Sequence, residues 1–350
     1  MKHTKTFYKL AALLVCLFSL LSLCACGETV ENKGTVYAMD TAFTVVGYGK
    51  NGEKGVKAAE SVIASMDAAL DPEVETSMVY KMNHANGQNT QISGQIAEMI
   101  ETARTVYKKS GGALDITIYP LVKLWGFPDS KYYVPSEEEA IAMRDKLCFD
   151  ELVLTPFPSS GSYSVKMPVY AEVTFAAVAK GCASQNAIDA MRQAGVTSGV
   201  VSAGGNVQTL GRRPNGTNWD IAITDPAAPN TYLGILNVGE AAIVTSGSYQ
   251  RSFTNKVDGK TYHHLLRPNT GFPTTNSLRS VTVVCEDGTL ADCLSTAMYV
   301  LGETGAMNYW RANGGFDMIM VTTGDEIICT SGLIEQFTVT NRDYTLRYAE

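Results

Sequence analysis

AKGCASQNAIDAMRQAGVTSGVVSAGGNVQTLG, residues Ala179 to Gly211, is the stretch whose reading decides the fold. Ala179 to Ala194 has helical character and stops at Gly195, as a helix closed by a glycine C-cap should. Ser198 to Leu210 is a strand-like run, and the Gly204-Gly205 pair inside it reads as a bend or bulge. Further strand-like runs follow at Trp219 to Thr224, Ala241 to Ser246, Ser280 to Cys285 and Asp317 to Thr322. Upstream, Thr35 to Gly47 is strand-like, while Val56, Ala59, Ile63, Met66 and Leu70 recur at helical spacing, as do Ile96, Met99, Ile100, Ala103 and Tyr107. Adjacent strands without a steady βαβ alternation make the class α+β. No GxGxxG follows a strand and no Walker sequence occurs, which argues against dinucleotide binding of the Rossmann or P-loop kind.

The first residues bear on location. Lys2, Lys5 and Lys9 form a basic region, and Ala11 to Leu23 is an almost unbroken apolar run. That run is too short for a lasting membrane span and reads as an export signal. It ends in Leu23-Cys24-Ala25-Cys26-Gly27, which resembles a bacterial lipobox: small Ala25 precedes Cys26. The expectation is a signal over residues 1–25, a lipid on Cys26, a tether over 26–34 and one body over 35–350, anchored on the extracytoplasmic face of the membrane. Ordinary secretion with a free Cys26 is the alternative. The formal charge of -7 and the lack of a basic stripe with interleaved aromatics argue against a nucleic-acid partner. Cys148, Cys182, Cys285, Cys293 and Cys329 are odd in number and widely spaced, so they suit core positions better than a disulfide framework or a zinc site.

Chemistry concentrates in a few segments. HHLLRPNTGFP (His263 to Pro273) brings two histidines and a tight turn, and ADCLSTAMYVLG (Ala291 to Gly302) brings Asp292, Ser295 and Thr296. A hard cation and a phosphate need such groups: an anionic oxygen, hydroxyls and turn amides. The plainer reading is a hairpin followed by a helix whose N-terminus Asp292 or Ser295 caps. In GGALDITIYPLVKLWGF (Gly111 to Phe127), Asp115 either accepts from a ring amide or caps a helix starting at Ile116. Small residues Ala176, Ala177, Val178 and Ala179 lead into Lys180 at a helix N-terminus, a place that favours phosphate. SAGGNVQTLG (Ser202 to Gly211) and TSGSYQRSF (Thr245 to Phe253) each place glycine at a strand end.

Taken in order, these segments resemble the ApbE family of FAD:protein FMN transferases. The resemblance runs from Met39-Asp40-Thr41 to Gly302. It implies a mixed or antiparallel β-sheet core flanked by helices. It also implies transfer of FMN from FAD to a threonine hydroxyl of an exported or membrane acceptor protein, with release of AMP. By this resemblance Mg²⁺ sits on Asp292, Thr296 and the Ala177 carbonyl, and His264 is the base that takes the threonine proton. Met39, Ala113, Leu114, Asp115, Thr174, Lys180 and Leu266 match positions of the FAD site. His263 faces the other way on a strand and is structural. The chain departs from the pattern at Asp40, where glycine is usual, and at Thr174-Phe175-Ala176, where Asp-Leu-Gly is usual. Ser248 and Arg267 likewise stand where acids are usual. An FAD pyrophosphatase, and an inactive FAD-binding lipoprotein, are the other readings.

Overall fold

In the computed structural model, which describes residues 30–157, 159 and 161–349, nine strands pair in the order in which the chain makes them. They are β1 (Glu31–Ala38), β2 (Thr41–Tyr48), β3 (Ser198–Ala203), β4 (Asn206–Gly211), β5 (Ala242–Gly247), β6 (Leu278–Cys285), β7 (Asp317–Thr322), β8 (Glu326–Thr330) and β9 (Thr345–Ala349). Each neighbouring pair is antiparallel except the last, β8 with β9. The α+β reading with a mixed sheet holds. The export signal and Cys26 lie outside the described residues.

Two runs read as single strands are hairpins. Thr35 to Gly47 divides at Met39 and Asp40, which take φ of 50° and 59° so that Ala38 faces Thr41. Two consecutive positive φ values make the tight turn whose twist matches a β-ribbon. Ser198 to Leu210 divides at Gly204-Gly205, a turn rather than a bulge, with Ala203 facing Asn206. Strand β1 starts at Glu31, so residues 31–34, expected in the tether, already pair with β2.

The two faces of the sheet follow the alternation of its strands. Val244, Val283, Met318, Met320 and Ile328 join the core beneath the helices. Their neighbours Ile243, Val284, Ile319, Val321 and Ile327 point the other way, onto a second core. That core is closed by a three-stranded sheet of Trp219–Thr224, Tyr232–Val238 and Phe337–Val339.

Four long helices cover the first face: α1 (Gly52–Leu70), α2 (Gly94–Lys109), α3 (Ala179–Gln193) and α4 (Gly288–Asn313). The expected stripe of α1 (Val56, Ala59, Ile63, Met66 and Leu70) is buried. Helix α3 stops where expected, with Gly195 at φ 91°. Helix α4 is capped by Asp287, which accepts from Leu290 N at 3.0 Å, so Asp292 and Ser295 lie inside it. It breaks at Gly302, whose φ of 71° no helix allows. Helices α3 and α4 touch through Gly181 and Gly288: a Cβ on Gly181 would stand 2.1 Å from the Gly288 carbonyl oxygen.

A satellite cluster of Leu121, Trp125, Phe127 and Leu266 gathers Phe253, Tyr262 and Phe272 around it. Trp125 Nε1 donates to the Gly271 carbonyl at 2.8 Å, which ties the Pro268–Gly271 turn to the 119–128 segment. Cys148, Cys182, Cys293 and Cys329 are buried. Desolvation pushes the Cys182 and Cys329 thiols up to about 12, far from a reactive thiolate.

Candidate functional site

A cleft of about 340 Å³ opens where the β1–β2 turn, the C-terminal end of α1, the 119–128 segment and the N-terminus of α3 meet. Met39 and Asp40 enter it from the turn, Thr174 and Lys180 from the approach to α3, and Arg251 from the segment after β5. Asp67, Asp71 and Glu73 form its acidic side. Met39 N donates to Asp67 Oδ1 at 2.7 Å, which fixes the turn to α1. Tyr119 donates its hydroxyl to Glu73, and burial followed by that carboxylate raises the phenol, so it stays a donor.

Lys180 is the second residue of α3, a helix whose N-terminus carries no side-chain cap of its own. The cap comes from the neighbouring helix: Asp292 Oδ2 accepts from Gly181 N at 2.8 Å. An orphan helical amide is thereby satisfied by a carboxylate that also suits the positive end of the helix. Asp292 is 3% exposed, and its Oδ1 accepts no hydrogen bond among the described residues. One turn further along α4, Thr296 Oγ1 lies 3.3 Å from Ser246 Oγ, which also bonds Ser295 Oγ at 2.8 Å. Ala177 sits in the turn just ahead of α3. A free carboxylate oxygen, a hydroxyl and a carbonyl are hard donors of the kind Mg²⁺ takes, an ion that uses few protein ligands; Ala177, Asp292 and Thr296 are not among the residues that line the cleft.

The two histidines divide, His263 ending the short strand Thr261–His263 and His264 following it in a bend. His263 spends both ring nitrogens within the fold, Nε2 against the Thr274 carbonyl at 3.1 Å and Nδ1 accepting from Leu265 N at 3.3 Å. His264 places Nδ1 3.1 Å from the Arg251 carbonyl, and its backbone N–H reaches the same oxygen at 3.0 Å. A carbonyl only accepts, so Nδ1 carries the proton and Nε2 holds the free lone pair. Desolvation pushes the His264 imidazole down to about 3, with Lys180 and Arg251 among the charges that add to the effect. The ring is therefore neutral well below the pH at which an imidazole ordinarily titrates. Its edge-on contact with Phe127, centroids 6.5 Å apart, sets it beside the cleft.

Of the expected flavin-site positions, Met39, Thr174 and Lys180 line the cleft. Ala113, Leu114, Asp115 and Leu266 are buried and do not line it. Asp115 takes the capping role: its Oδ1 accepts from Thr117 N at 2.7 Å and Thr117 Oγ1 at 2.6 Å, at the head of a short 3₁₀ turn. Burial raises its carboxyl, and the two Thr117 bonds oppose that rise. The turn it heads supports the cleft, since Thr174 N donates to the Ile116 carbonyl at 2.8 Å.

Arg267 neither faces the cleft nor takes a metal's place. Its guanidinium donates to Thr274 Oγ1 at 3.1 Å and to the Val300 carbonyl at 3.4 Å, where the break at Gly302 exposes the negative end of a helical segment. The cleft residues that sequence reading left without a role are Asp67, Asp71, Glu73, Tyr119 and Arg251. Arg251 and Tyr119 lie in segments already singled out, TSGSYQRSF and GGALDITIYPLVKLWGF.

A family model described as the ApbE family matches residues 39–320. The chain is 31% identical over 262 residues to an FAD:protein FMN transferase of Klebsiella pneumoniae, covering 73% of this chain and 78% of that protein. It is 30% identical over 324 residues to one of Vibrio cholerae, covering 89% and 94%. Among solved structures, the ApbE protein of Thermotoga maritima superposes with a TM-score of 0.77 at 26% identity, over 85% of this chain and 96% of that one. The flavin transferase ApbE of Vibrio cholerae gives 0.77 at 25% identity, over 88% and 99%. Fold and relatives together define an enzyme of the flavin-transferring class. The chain belongs to the ApbE family.

Proposed function

We propose that this protein transfers FMN from FAD to a threonine hydroxyl of a partner protein and releases AMP. The observation that carries the reading is the state of His264. It is a neutral imidazole with a free Nε2 at the edge of a cleft that also holds Lys180 and Arg251. Two cations offer a place for a diphosphate, and an unprotonated Nε2 beside them offers a place for a proton. In the reaction, the threonine oxygen forms a bond to the FMN phosphorus while the phosphorus–oxygen bond to AMP breaks. His264 Nε2 takes the threonine proton, and AMP leaves with the electron pair of the broken bond. Asp292 Oδ1, Thr296 Oγ1 and the Ala177 carbonyl would hold Mg²⁺, which when bound supplies positive charge to offset that of the diphosphate oxygens. Lys180 adds charge from the helix N-terminus, and the Arg251 carbonyl keeps His264 in the tautomer that can accept.

The lipobox-like Leu23-Cys24-Ala25-Cys26 supports a membrane-anchored, extracytoplasmic enzyme acting on an exported or membrane acceptor. Incorporation of labelled palmitate into the wild type but not into Cys26→Ala tests that placement. The activity is tested by incubating the protein with FAD, Mg²⁺ and a threonine-bearing acceptor. Flavin fluorescence on the acceptor band after denaturing electrophoresis is the expected result. Free FMN with no labelled acceptor would make the protein an FAD pyrophosphatase, and bound but unchanged FAD a flavin-binding lipoprotein.

A further inference from the structure

The two cations of the cleft differ in one respect. Lys180 has no ion-pair partner among the described residues, whereas Arg251 Nη2 lies 3.0 Å from Asp40 Oδ2. This pair joins the β1–β2 turn to the segment after β5, across 211 positions of sequence. Asp40 holds a φ of 59°, a conformation in which glycine is most at ease, and glycine could not make the pair. The Asp40 side chain is 78% exposed and that of Arg251 49%. A pair this open is weak, so Arg251 can exchange one anion for another without stranding a buried charge. Its guanidinium carries five N–H donors in a planar fork suited to phosphate oxygens, and Asp40 engages one nitrogen. The Arg251 backbone carbonyl meanwhile holds His264, so a swing of the side chain leaves the base in place.

We infer that Asp40 is a built-in placeholder: its carboxylate occupies on Arg251 the position that a diphosphate oxygen takes when a dinucleotide binds. Arg251 is thus a diphosphate-binding residue, and Asp40 sets how tightly the cleft holds its ligand. Naming a dinucleotide as ligand rests on the function proposed above; the competition between carboxylate and diphosphate does not.

The test uses the full chain with two probes, FAD followed by quenching of flavin fluorescence and inorganic pyrophosphate followed by calorimetry, at low ionic strength. Asp40→Asn keeps the shape of the turn, since asparagine accepts positive φ, and Asp40→Gly is a second variant should the first fold poorly. Either should lower Kd for both probes by about two- to fivefold, the range of exposed ion pairs. Arg251→Gln should raise both, and Asp40→Asn should then have no effect in the Arg251→Gln background. Riboflavin, which has no phosphate, should bind equally to all variants. The inference is overturned if Asp40→Asn leaves both Kd values unchanged or raises them, if its effect survives without Arg251, or if riboflavin responds equally. It is also overturned if the wild type binds neither probe. A pyrophosphate response without any FAD binding would defeat the flavin reading and leave this one standing.

Discussion

Replacing Gly181 by alanine sets two effects of opposite sign against each other. Within a helix, alanine is preferred to glycine by about 1 kcal/mol, so propensity alone predicts a more stable protein. The crossing of α3 and α4 predicts the reverse. The new Cβ would stand 2.1 Å from the Gly288 carbonyl oxygen and 2.6 Å from Asp292 Cβ. The helices would have to part by about 1 Å to reach ordinary contact. Because the obstacle is backbone rather than a flexible side chain, the cost belongs at the upper end of overpacking, about 3 kcal/mol. Parting the helices also stretches the Gly181 N–H to Asp292 bond, a hydrogen bond to a charged group worth about 1.5–3 kcal/mol. The net is a loss of about 2–5 kcal/mol, which thermal unfolding would report as a Tm lower by roughly 3–8 °C. Urea unfolding should show a lower midpoint with an unchanged slope. A Tm equal to or above that of the wild type would refute the reasoning, because it would mean that the helices part freely.

Asp292→Asn keeps an oxygen for Gly181 N while removing the charge, so the fold should survive and FMN transfer should fall about 10²–10³-fold; transfer unchanged at low Mg²⁺ would remove Asp292 from the reaction. His264→Ala should slow transfer about 10²–10⁴-fold with little change in Kd for FAD, and an equal loss in both would make His264 a binding residue. Stability should fall as pH drops below about 6.5, because the unfolded imidazole takes a proton there that folded His264, held down to about 3, refuses. His264→Gln should flatten that slope by at most about 1.4 kcal/mol per pH unit, and identical slopes in variant and wild type would contradict the depressed value.

What could be read from the sequence was what repeats locally. The stripe of α1 and the glycine stop of α3 are written in spacing and residue type, and both appear where expected. The turn at Met39-Asp40 was not legible, because Met39 carries no signal for positive φ and Asp40, without a following glycine, only a weak one. For Asp115 the residues allowed a cap or a ligand contact; the choice depended on Thr117 turning back toward it, and it caps. Arg267 announced a charge but not its destination, because the break at Gly302 lies inside a segment of helical pattern. The contact of Asp292 with Gly181 joins two helices that no local pattern links.

The order of the strands has a consequence for how the cleft comes into being. Strand β2 ends at Tyr48 and its partner β3 begins at Ser198, so the longest excursion of the chain separates two neighbours in the sheet. Closing so long a loop is entropically unfavourable and slow compared with zipping the local hairpins that follow. The turn that brings Met39 and Asp40 to the cleft rides on the far side of that closure. A ligand seated there favours only molecules in which the N-terminal ribbon has docked, by RT ln(1 + [L]/Kd). Flavin nucleotide should therefore protect the β2–β3 amides from hydrogen exchange, and saturation with substrate would act as a clasp on the most distant seam of the molecule.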